Sequence, residues 1–212
     1  MHVPSQLLYR GTAFPDSPRV TNPYLPYVPG TKYIYQGTVG SQPEKDVQLV
    51  TRHTRVIDGI PCVTVVDYGY VSGVLEERTD DYYAQDFSGN VWYFGEYETA
   101  YHPFGHKSSW LAGVNGASAG IVMEGAPRVG DVYHQENAPK IAEDQARIVS
   151  LTTSVNTPFG EFFGNVLETL EYSPLEPGVL EHKFYEPGYG LMKAHVFKGG
   201  AETLELTGIV KF

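Results

Sequence analysis

The fold is decided by residues 46–99, which read DVQLVTRHTRVIDGIPCVTVVDYGYVSGVLEERTDDYYAQDFSGNVWYFGEYET. Turn residues interrupt this stretch at Asp58-Gly59, Ser72-Gly73 and Ser88-Gly89-Asn90. The segments between the turns are rich in Val, Ile, Thr, Tyr and Trp, which fit a pleated and half-buried surface. Asp-Gly favours a two-residue hairpin loop because both central positions then accept a positive φ. The stretch therefore predicts four successive antiparallel strands, each beside the next.

Alternating segments on both sides of this stretch predict more strands. Helix signals are weak, and only residues 139–146 could support a short helix. About ten antiparallel strands in a meander can avoid exposed edges by closing into a barrel or by curving into a half-barrel. We therefore predict an all-β fold of this kind, with a β-sandwich as the alternative. The additional strands are predicted at residues 32–39, 131–136, 142–155, 163–172, 179–185, 191–197 and 202–210.

The chain is predicted to have an N-terminal arm, residues 1–30, and a single β domain, residues 31–212. Six prolines in the arm favour an extended conformation and prevent a regular ladder of hydrogen bonds. The arm is expected either to wrap its own domain or to reach a neighbouring subunit and form a homo-oligomer. Residues 100–130 contain six glycines and are predicted to be a long loop that forms a lid or a cavity mouth. If the arm wraps the domain, its anchors are Tyr24, Leu25, Tyr27 and Val28.

The charge of the chain excludes two classes of partner. The sequence carries 15 basic and 25 acidic residues, a formal net charge of −10. Nucleic acids and anionic membrane surfaces bind basic patches, so neither is expected as a partner. No run of about 18 apolar residues is present, and no insertion of a helix into a membrane is expected. Residues 1–10 lack the pattern of a signal peptide, which predicts either a cytoplasmic chain or the mature form of an exported one.

Cofactor and metal motifs are weak in this sequence. No GxGxxG, GxxxxGK[ST] or GxSxG motif is present, and no cofactor is predicted. His102 and His106 have a zinc-like spacing, but Pro103 lies between them and disfavours a helix. His134 and Glu136 form an i, i+2 pair of a kind that is common by chance. No metal site is therefore predicted.

Two further elements have structural interpretations. Residues 86–90, DFSGN, are rich in oxygen ligands, but they lack the acidic repeat of a calcium loop and fit a hairpin turn. Cys62 is the only cysteine, so no intrachain disulfide can form. Its apolar surroundings predict a buried hydrophobic residue.

Three acidic residues are candidate catalytic groups. Asp144 is predicted to share a strand face with small apolar residues, where a desolvated carboxyl group can act as a general acid or base. Its alternative roles are a structural ion pair or the start of a helix. Glu96 is predicted to share a face with Trp92 and Phe94, and Glu136 lies near the end of another strand. Acids near strand ends can converge on the mouth of a cavity.

The aromatic composition suggests a binding cavity. The chain has 16 Tyr and 10 Phe, and Tyr combines apolar area with a polar tip that suits cavity rims and sheet faces. The predicted ligand-binding residues are Tyr83, Trp92, Phe94, Trp110, Lys183 and Tyr185.

Three phrases in the sequence carry a resemblance to known proteins. They are NPYLPYVPG at residues 22–30, QDFSGNVWYFGE at residues 85–96 and EHKFYEPGYG at residues 181–190. With these phrases the chain resembles a group of bacterial exported proteins that have no assigned activity. The resemblance implies an extracellular or periplasmic location and a β-rich domain similar to envelope proteins with half-open barrels. It implies no substrate, cofactor or site residue.

Three functions are compatible with the sequence. The first is the binding of a small, largely apolar or aromatic molecule in a barrel cavity, which predicts an aromatic lining with few charges. The second is a cofactor-independent enzyme, which predicts at least two carboxyl groups within about 5–10 Å in one pocket. The third is a structural protein that assembles through residues 1–30.

Overall fold

A computed structural model describes residues 11–102, 104–105 and 108–212. The chain forms one antiparallel sheet, so the predicted all-β fold is confirmed. In the described ranges, no helix is long and apolar enough to cross a membrane. The strands are β1 (Thr31–Val39), β2 (Gln42–Ile57), β3 (Ile60–Val71), β4 (Val74–Gln85), β5 (Val91–Tyr101), β6 (Phe104–Gly105), β7 (Trp110–Leu111), β8 (Ser118–Met123), β9 (Val132–His134), β10 (Glu136–Asn137), β11 (Gln145–Thr157), β12 (Gly160–Tyr172), β13 (Leu180–Glu186), β14 (Gly190–Lys198) and β15 (Glu202–Lys211).

The strands follow one another as a meander in each half of the chain. The order across the sheet is β10-β8-β5-β4-β3-β2-β1-β15-β14-β13-β12-β11-β9, and β6 and β7 pair with β5. The two halves meet at the centre, where β1 pairs with β15. The sheet is not closed by a continuous ladder, which makes it an open, curved form of barrel.

One short segment, residues 132–137, joins the two ends of the sheet. Its first part, β9, pairs with β11, and its last part, β10, pairs with β8. The backbone N–H groups of Gln135 and Glu136 both donate to the Asp144 carbonyl oxygen, at 2.8 and 3.2 Å. A Cβ atom at Gly120 would lie 2.3 Å from the Gln135 carbonyl oxygen, so only glycine permits this close approach. We call residues 132–137 the linking segment.

One sequence expectation is wrong in this region. Residues 100–130 were expected to be one loop, but they contain β6, β7 and β8. These three strands, and the division of the predicted strand at residues 131–136 into β9 and β10, give the fifteen strands observed. The glycines that indicate a loop include Gly120, which is in a strand and is needed for close packing. Residues 139–146 do not form a helix, because Ala138 and Ala142 instead form an isolated bridge that closes a turn.

The described part of the N-terminal arm packs against its own sheet. Leu25 and Tyr27 are buried, whereas Val28 is exposed and is not an anchor. The Asn22 side chain donates to the carbonyl oxygens of Gly89 and Glu124, at 3.0 and 2.9 Å. Residues 1–10 lie outside the described residues.

The sheet carries a core on each of its faces. The larger core includes Val20, Leu25 and Tyr27 of the arm and lies inside the curve, where Val63 and Val65 of β3 contribute. The second core lies on the other face and includes Cys62, Trp92 and Phe94. Cys62 is fully buried, and burial raises the pKa of its thiol to about 12. Its predicted structural role therefore agrees with its position.

Candidate functional site

The inner face of the sheet borders a polar cavity of about 260 Å³. The cavity receives side chains from both halves of the sheet and from the linking segment. Seven of its lining residues are acidic. They include the three predicted catalytic residues, Glu96, Glu136 and Asp144, and the predicted ligand-binding residues Tyr83 and Lys183 also line it. The lining residues are Gln48, Asp67, Glu77, Thr79, Asp81, Tyr83, Tyr93, Glu96, Val122, Gln135, Glu136, Asp144, Glu171 and Lys183.

A β-bulge in β5 turns Glu96 towards this cavity. Asp81 pairs with Glu96 and Tyr83 pairs with Tyr93, so Phe94 and Gly95 together oppose a single residue of β4. The extra residue reverses the alternation of side chains beyond it. Glu96 therefore shares a face with Tyr93 and not with Phe94. The sequence expectation that Glu96 and Phe94 share a face is wrong for this reason.

The Tyr93 hydroxyl connects two carboxyl groups. It lies 2.6 Å from Asp81 Oδ1 and 2.9 Å from Glu96 Oε2. A tyrosine hydroxyl has one proton to donate and can accept another hydrogen bond. Both contacts are satisfied when the hydroxyl donates to one carboxylate and accepts a hydrogen bond from the protonated form of the other carboxyl group. The three side chains thus form a short network that can hold a shared proton.

Burial shifts the titration of both acids in this network. It raises the pKa of Asp81 well above its usual range, and the negative charge of Asp67 adds to the effect. Burial also raises the pKa of Glu96. The hydrogen bonds from Tyr93 act in the opposite direction and lower both pKa values. Because the hydroxyl has one proton, it stabilises the ionised form of whichever carboxyl group accepts its hydrogen bond.

Lys183 is the cation among the described residues that line the cavity. Its Nζ lies 2.8 Å from Glu171 Oε2 and 3.3 Å from Glu181 Oε2. Burial lowers the pKa of Lys183, but the two carboxylates outweigh this and raise it well above its ordinary value. Lys183 is thus charged and already paired with two acids. Its charge does not balance the remaining carboxyl groups of the cavity.

The linking segment brings a further acid into the cavity. Burial raises the pKa of the half-buried Glu136 well above its usual range. The negative charge of Asp144 raises it further, and so does that of Glu96. The three predicted catalytic residues therefore border one cavity and interact electrostatically. Their positions near strand ends suggested a common cavity mouth, but their proximity depends on the path of the linking segment.

A second, apolar cavity of about 210 Å³ adjoins the first. Glu96 borders both cavities, and the predicted ligand-binding residue Trp110 lines the second. Three ring contacts connect the arm to this place. Tyr27 packs on Tyr83, Tyr83 stacks on Tyr93, and Tyr93 meets the edge of Trp110, at centroid distances of 4.9, 4.8 and 5.5 Å. The lining of the second cavity is Glu96, Tyr97, Ser109, Trp110, Leu111, Val114, Asn115, Ala117, Ala138, Pro139 and Ile141.

Three predicted ligand-binding residues have other positions. Trp92 and Phe94 are buried in the second core, on the face opposite the polar cavity. They were predicted as ligand-binding residues because they are aromatic. Side chains alternate between the two faces along β5, so Trp92 and Phe94 point away from the face that carries Tyr93. Tyr185 is buried in the larger core, with its hydroxyl 3.5 Å from Glu171 Oε1. It borders the site only through that carboxyl group.

Residues 86–90 form a turn built around Asp86. Its carboxylate accepts hydrogen bonds from the backbone N–H groups of Ser88 and Asn90, at 2.8 and 3.0 Å. It also accepts one from Trp92 Nε1 at 2.9 Å. These bonds occupy the carboxylate in the way that the hairpin interpretation predicts. They also explain the position of Trp92.

The described residues do not present a metal site. Within them, no group of three or more His, Cys, Asp or Glu side chains is arranged to hold a metal ion. His106, one half of the zinc-like pair, lies outside the described residues.

Sequence reasoning missed several acids of the polar cavity. Asp67 follows Val63 and Val65 at alternate positions of β3, and Asp81 holds the same relation to Tyr83 in β4. The period of two in a strand could have placed both acids on the inner face. The sequence around Glu171 does not indicate a place in the cavity, because its position there becomes evident only from its ion pair with Lys183.

Two solved structures share this fold. One is a candidate exported protein with a YmcC-like fold from Bacteroides fragilis, with a TM-score of 0.53 and 14% identity over 89% of this chain and 99% of that chain. The other is a candidate lipoprotein from Parabacteroides distasonis, with a TM-score of 0.50 and 12% identity over 92% and 100% of the two chains. At these identities the likeness shows the fold alone. No protein-family model and no curated protein matches the chain.

Proposed function

We propose that this protein binds a small organic cation, such as an amine, in the polar cavity. The observation that carries the proposal is the excess of acidic over basic groups there. Seven acidic residues line the cavity, and the lining cation, Lys183, is paired with Glu171 and Glu181. Carboxyl groups crowded in a partly desolvated site favour a positive charge among them, because it stabilises their ionised forms.

The aromatic wall of the cavity supports the same ligand class. Tyr83 and Tyr93 stack with an interplanar angle of 17°, and both line the cavity. An ammonium or guanidinium group near a tyrosine ring gains from the negative face of that ring. The acids supply charge and hydrogen-bond acceptors, while the rings supply contact area.

This proposal changes the ligand expected from the sequence. An apolar or aromatic molecule was expected, in a cavity with few charges. In the larger cavity, seven of the fourteen lining residues are instead acidic, which disfavours a purely apolar ligand because the carboxyl groups would lose their hydration. A cation compensates them for that loss.

Titration calorimetry at low ionic strength tests the proposal. We expect putrescine and agmatine to bind, and 1,4-butanediol, a neutral molecule with the carbon chain of putrescine, not to bind. The affinity should fall as salt is added, because the attraction is electrostatic. Glu136→Gln should weaken amine binding about tenfold, while Glu161→Gln, an exposed acid outside the cavity, should leave it unchanged. Absence of amine binding, or equal binding of the diol, would overturn the proposal.

A second candidate function is acid–base catalysis on the same ligand. It is favoured by the contact of the Tyr93 hydroxyl with Asp81 and Glu96, since such a network can hold and release a proton. The test is mass spectrometry of a ligand that co-purifies with the protein, before and after incubation at several pH values. A change of mass that Asp81→Asn abolishes supports catalysis, and an unchanged mass contradicts it.

Two further proposals concern location and assembly. A place outside the cytoplasm is supported by the description of the two fold neighbours as a candidate exported protein and a candidate lipoprotein. Cell fractionation checks this, and recovery in the cytoplasm alone would contradict it. Assembly through residues 1–30 stays a prediction. It predicts that native mass spectrometry will find oligomers of the full chain and that these oligomers will be lost when residues 1–30 are deleted.

A further inference from the structure

The apolar cavity has the features of a subsite for the ligand of the polar cavity. Glu96 forms part of both walls, so a group bound at this carboxylate has access to both cavities. The walls beyond Glu96 are mainly apolar and include Leu111, Val114 and Ile141. Val114 and Ile141 are 49% and 40% exposed, which leaves apolar surface for a ligand to cover.

Trp110 provides an independent indication of a ligand at this place. The residue is 5% exposed, lines the apolar cavity and packs its ring against the edge of Tyr93. Its Nε1 is buried and has no hydrogen-bond partner among the described residues. A buried indole N–H ordinarily finds an acceptor. Because Nε1 has almost no accessible surface, a ligand can supply one only if the cavity wall moves around it.

We infer that the apolar cavity holds the aromatic ring of the same organic cation, whose ammonium group lies at Glu96. The ligand class is therefore an arylalkylamine, in which a short chain separates the ring from the amine. The volume is sufficient, because a cavity of about 150 Å³ accommodates benzene and this one measures about 210 Å³. The inference rests on the proposed function and specifies its ligand.

Ethylamine and phenethylamine form a matched pair of probes, because they differ only by the phenyl group. We expect calorimetry to show phenethylamine binding at least tenfold more tightly than ethylamine. The double variant Val114→Ser/Ile141→Ser should remove most of this difference and leave the affinity for ethylamine unchanged. Val210 is similarly exposed but lies outside both cavities, so the control variant Val210→Ser should change neither affinity.

A spectroscopic measurement keeps the test independent of the variants. The chain has two tryptophans, and Trp92 Nε1 already donates to Asp86. We expect phenethylamine to shift the indole N–H resonance of Trp110 and to leave that of Trp92 in place, whereas ethylamine shifts neither. The Trp110→Phe variant assigns the signal.

The outcomes separate the two proposals. If both amines bind equally and neither shifts the Trp110 resonance, the subsite is overturned while cation binding stands. If neither amine binds, and putrescine and agmatine also fail to bind, cation binding fails and the subsite fails with it. Tighter binding of phenethylamine with a shift of Trp110 supports both.

Discussion

At the scale of single residues, the Tyr93 hydroxyl has the largest effect on the polar cavity. Its hydrogen bonds lower the pKa values of Asp81 and Glu96, which burial raises. We expect Tyr93→Phe to lower the free energy of unfolding by about 1–3 kcal/mol, because the buried Asp81 and the half-buried Glu96 lose a partner. The loss should be greater at pH 8 than at pH 5, since without the hydroxyl the carboxylate forms are less stable. Urea unfolding at the two pH values measures it.

Tyr189→Phe is the control for this variant, because Tyr189 is 39% exposed and does not line either cavity. It should change stability by less than about 0.5 kcal/mol at both pH values. An equal loss for Tyr93→Phe at pH 5 and pH 8 would contradict the proposed role of the hydroxyl.

At this scale the residues predicted from the sequence overlap in part with the lining of the candidate cavity. Residue type and position near strand ends predicted Glu96, Glu136 and Asp144, which do border one cavity. Aromatic type alone also led to Trp92 and Phe94, which are core residues. Composition indicates which side chains can do chemistry, but the face of a strand decides which of them meet.

At the scale of the elements, the bulge in β5 decides that face for Glu96. Gly95 has a φ of +124°, and a Cβ atom there would lie 2.2 Å from the Trp110 carbonyl oxygen. We expect Gly95→Ala to lower the free energy of unfolding by about 3 kcal/mol, because it adds a clash with β7 to the backbone strain. It should also weaken amine binding, since Glu96 would move. Urea unfolding and calorimetry with putrescine measure the two effects.

Gly116→Ala is the matched control for backbone strain. Gly116 also has a positive φ, +83°, but a Cβ atom there would meet open space. Gly116→Ala should lower the free energy of unfolding by only about 1 kcal/mol and leave the affinity for putrescine unchanged. Equal losses for the two variants would show that the close approach at Gly95 contributes nothing.

The elements also show where prediction from sequence reaches its limit. The long strands could be predicted because their turns are local, as at Asp58-Gly59, where both residues have positive φ. The bulge at Gly95 and the strand at Gly120 could not. Both depend on a backbone segment that is distant along the chain, Trp110 in one case and Gln135 in the other.

At the scale of the whole molecule, the buried acids set the pH dependence of stability. Burial raises the pKa of Glu44 and of Glu124 to about 7 in each case, with smaller effects of Glu202 and Asp131. An unfolded glutamate titrates near pH ~4.3. Between these values the folded chain binds more protons than the unfolded chain, so the free energy of unfolding falls as the pH rises. Lys183 contributes no change here, because its stabilising effect is lost only above the unfolded lysine pKa of ~10.4.

We therefore expect the melting temperature to be higher at pH 5 than at pH 8, and calorimetric melting at the two pH values checks this. Glu44→Gln should reduce the difference, while Glu161→Gln should leave it unchanged. Putrescine should also reduce it, because a bound cation stabilises the carboxylates at pH 8. A higher melting temperature at pH 8 in the free protein would contradict the expected sign.

The linking segment, described above as the junction between the two ends of the sheet, also affects solubility. An unpaired edge strand exposes backbone N–H and C=O groups with which strands of other chains can pair, and this pairing leads to aggregation. Here β9 covers part of β11 and β10 covers part of β8, so residues 132–137 protect both edges. Local detachment of this one segment would uncover two such edges at the same time. The hydrogen bonds from residues 135 and 136 to the Asp144 carbonyl oxygen therefore disfavour polymerisation, and they also place Glu136 in the cavity.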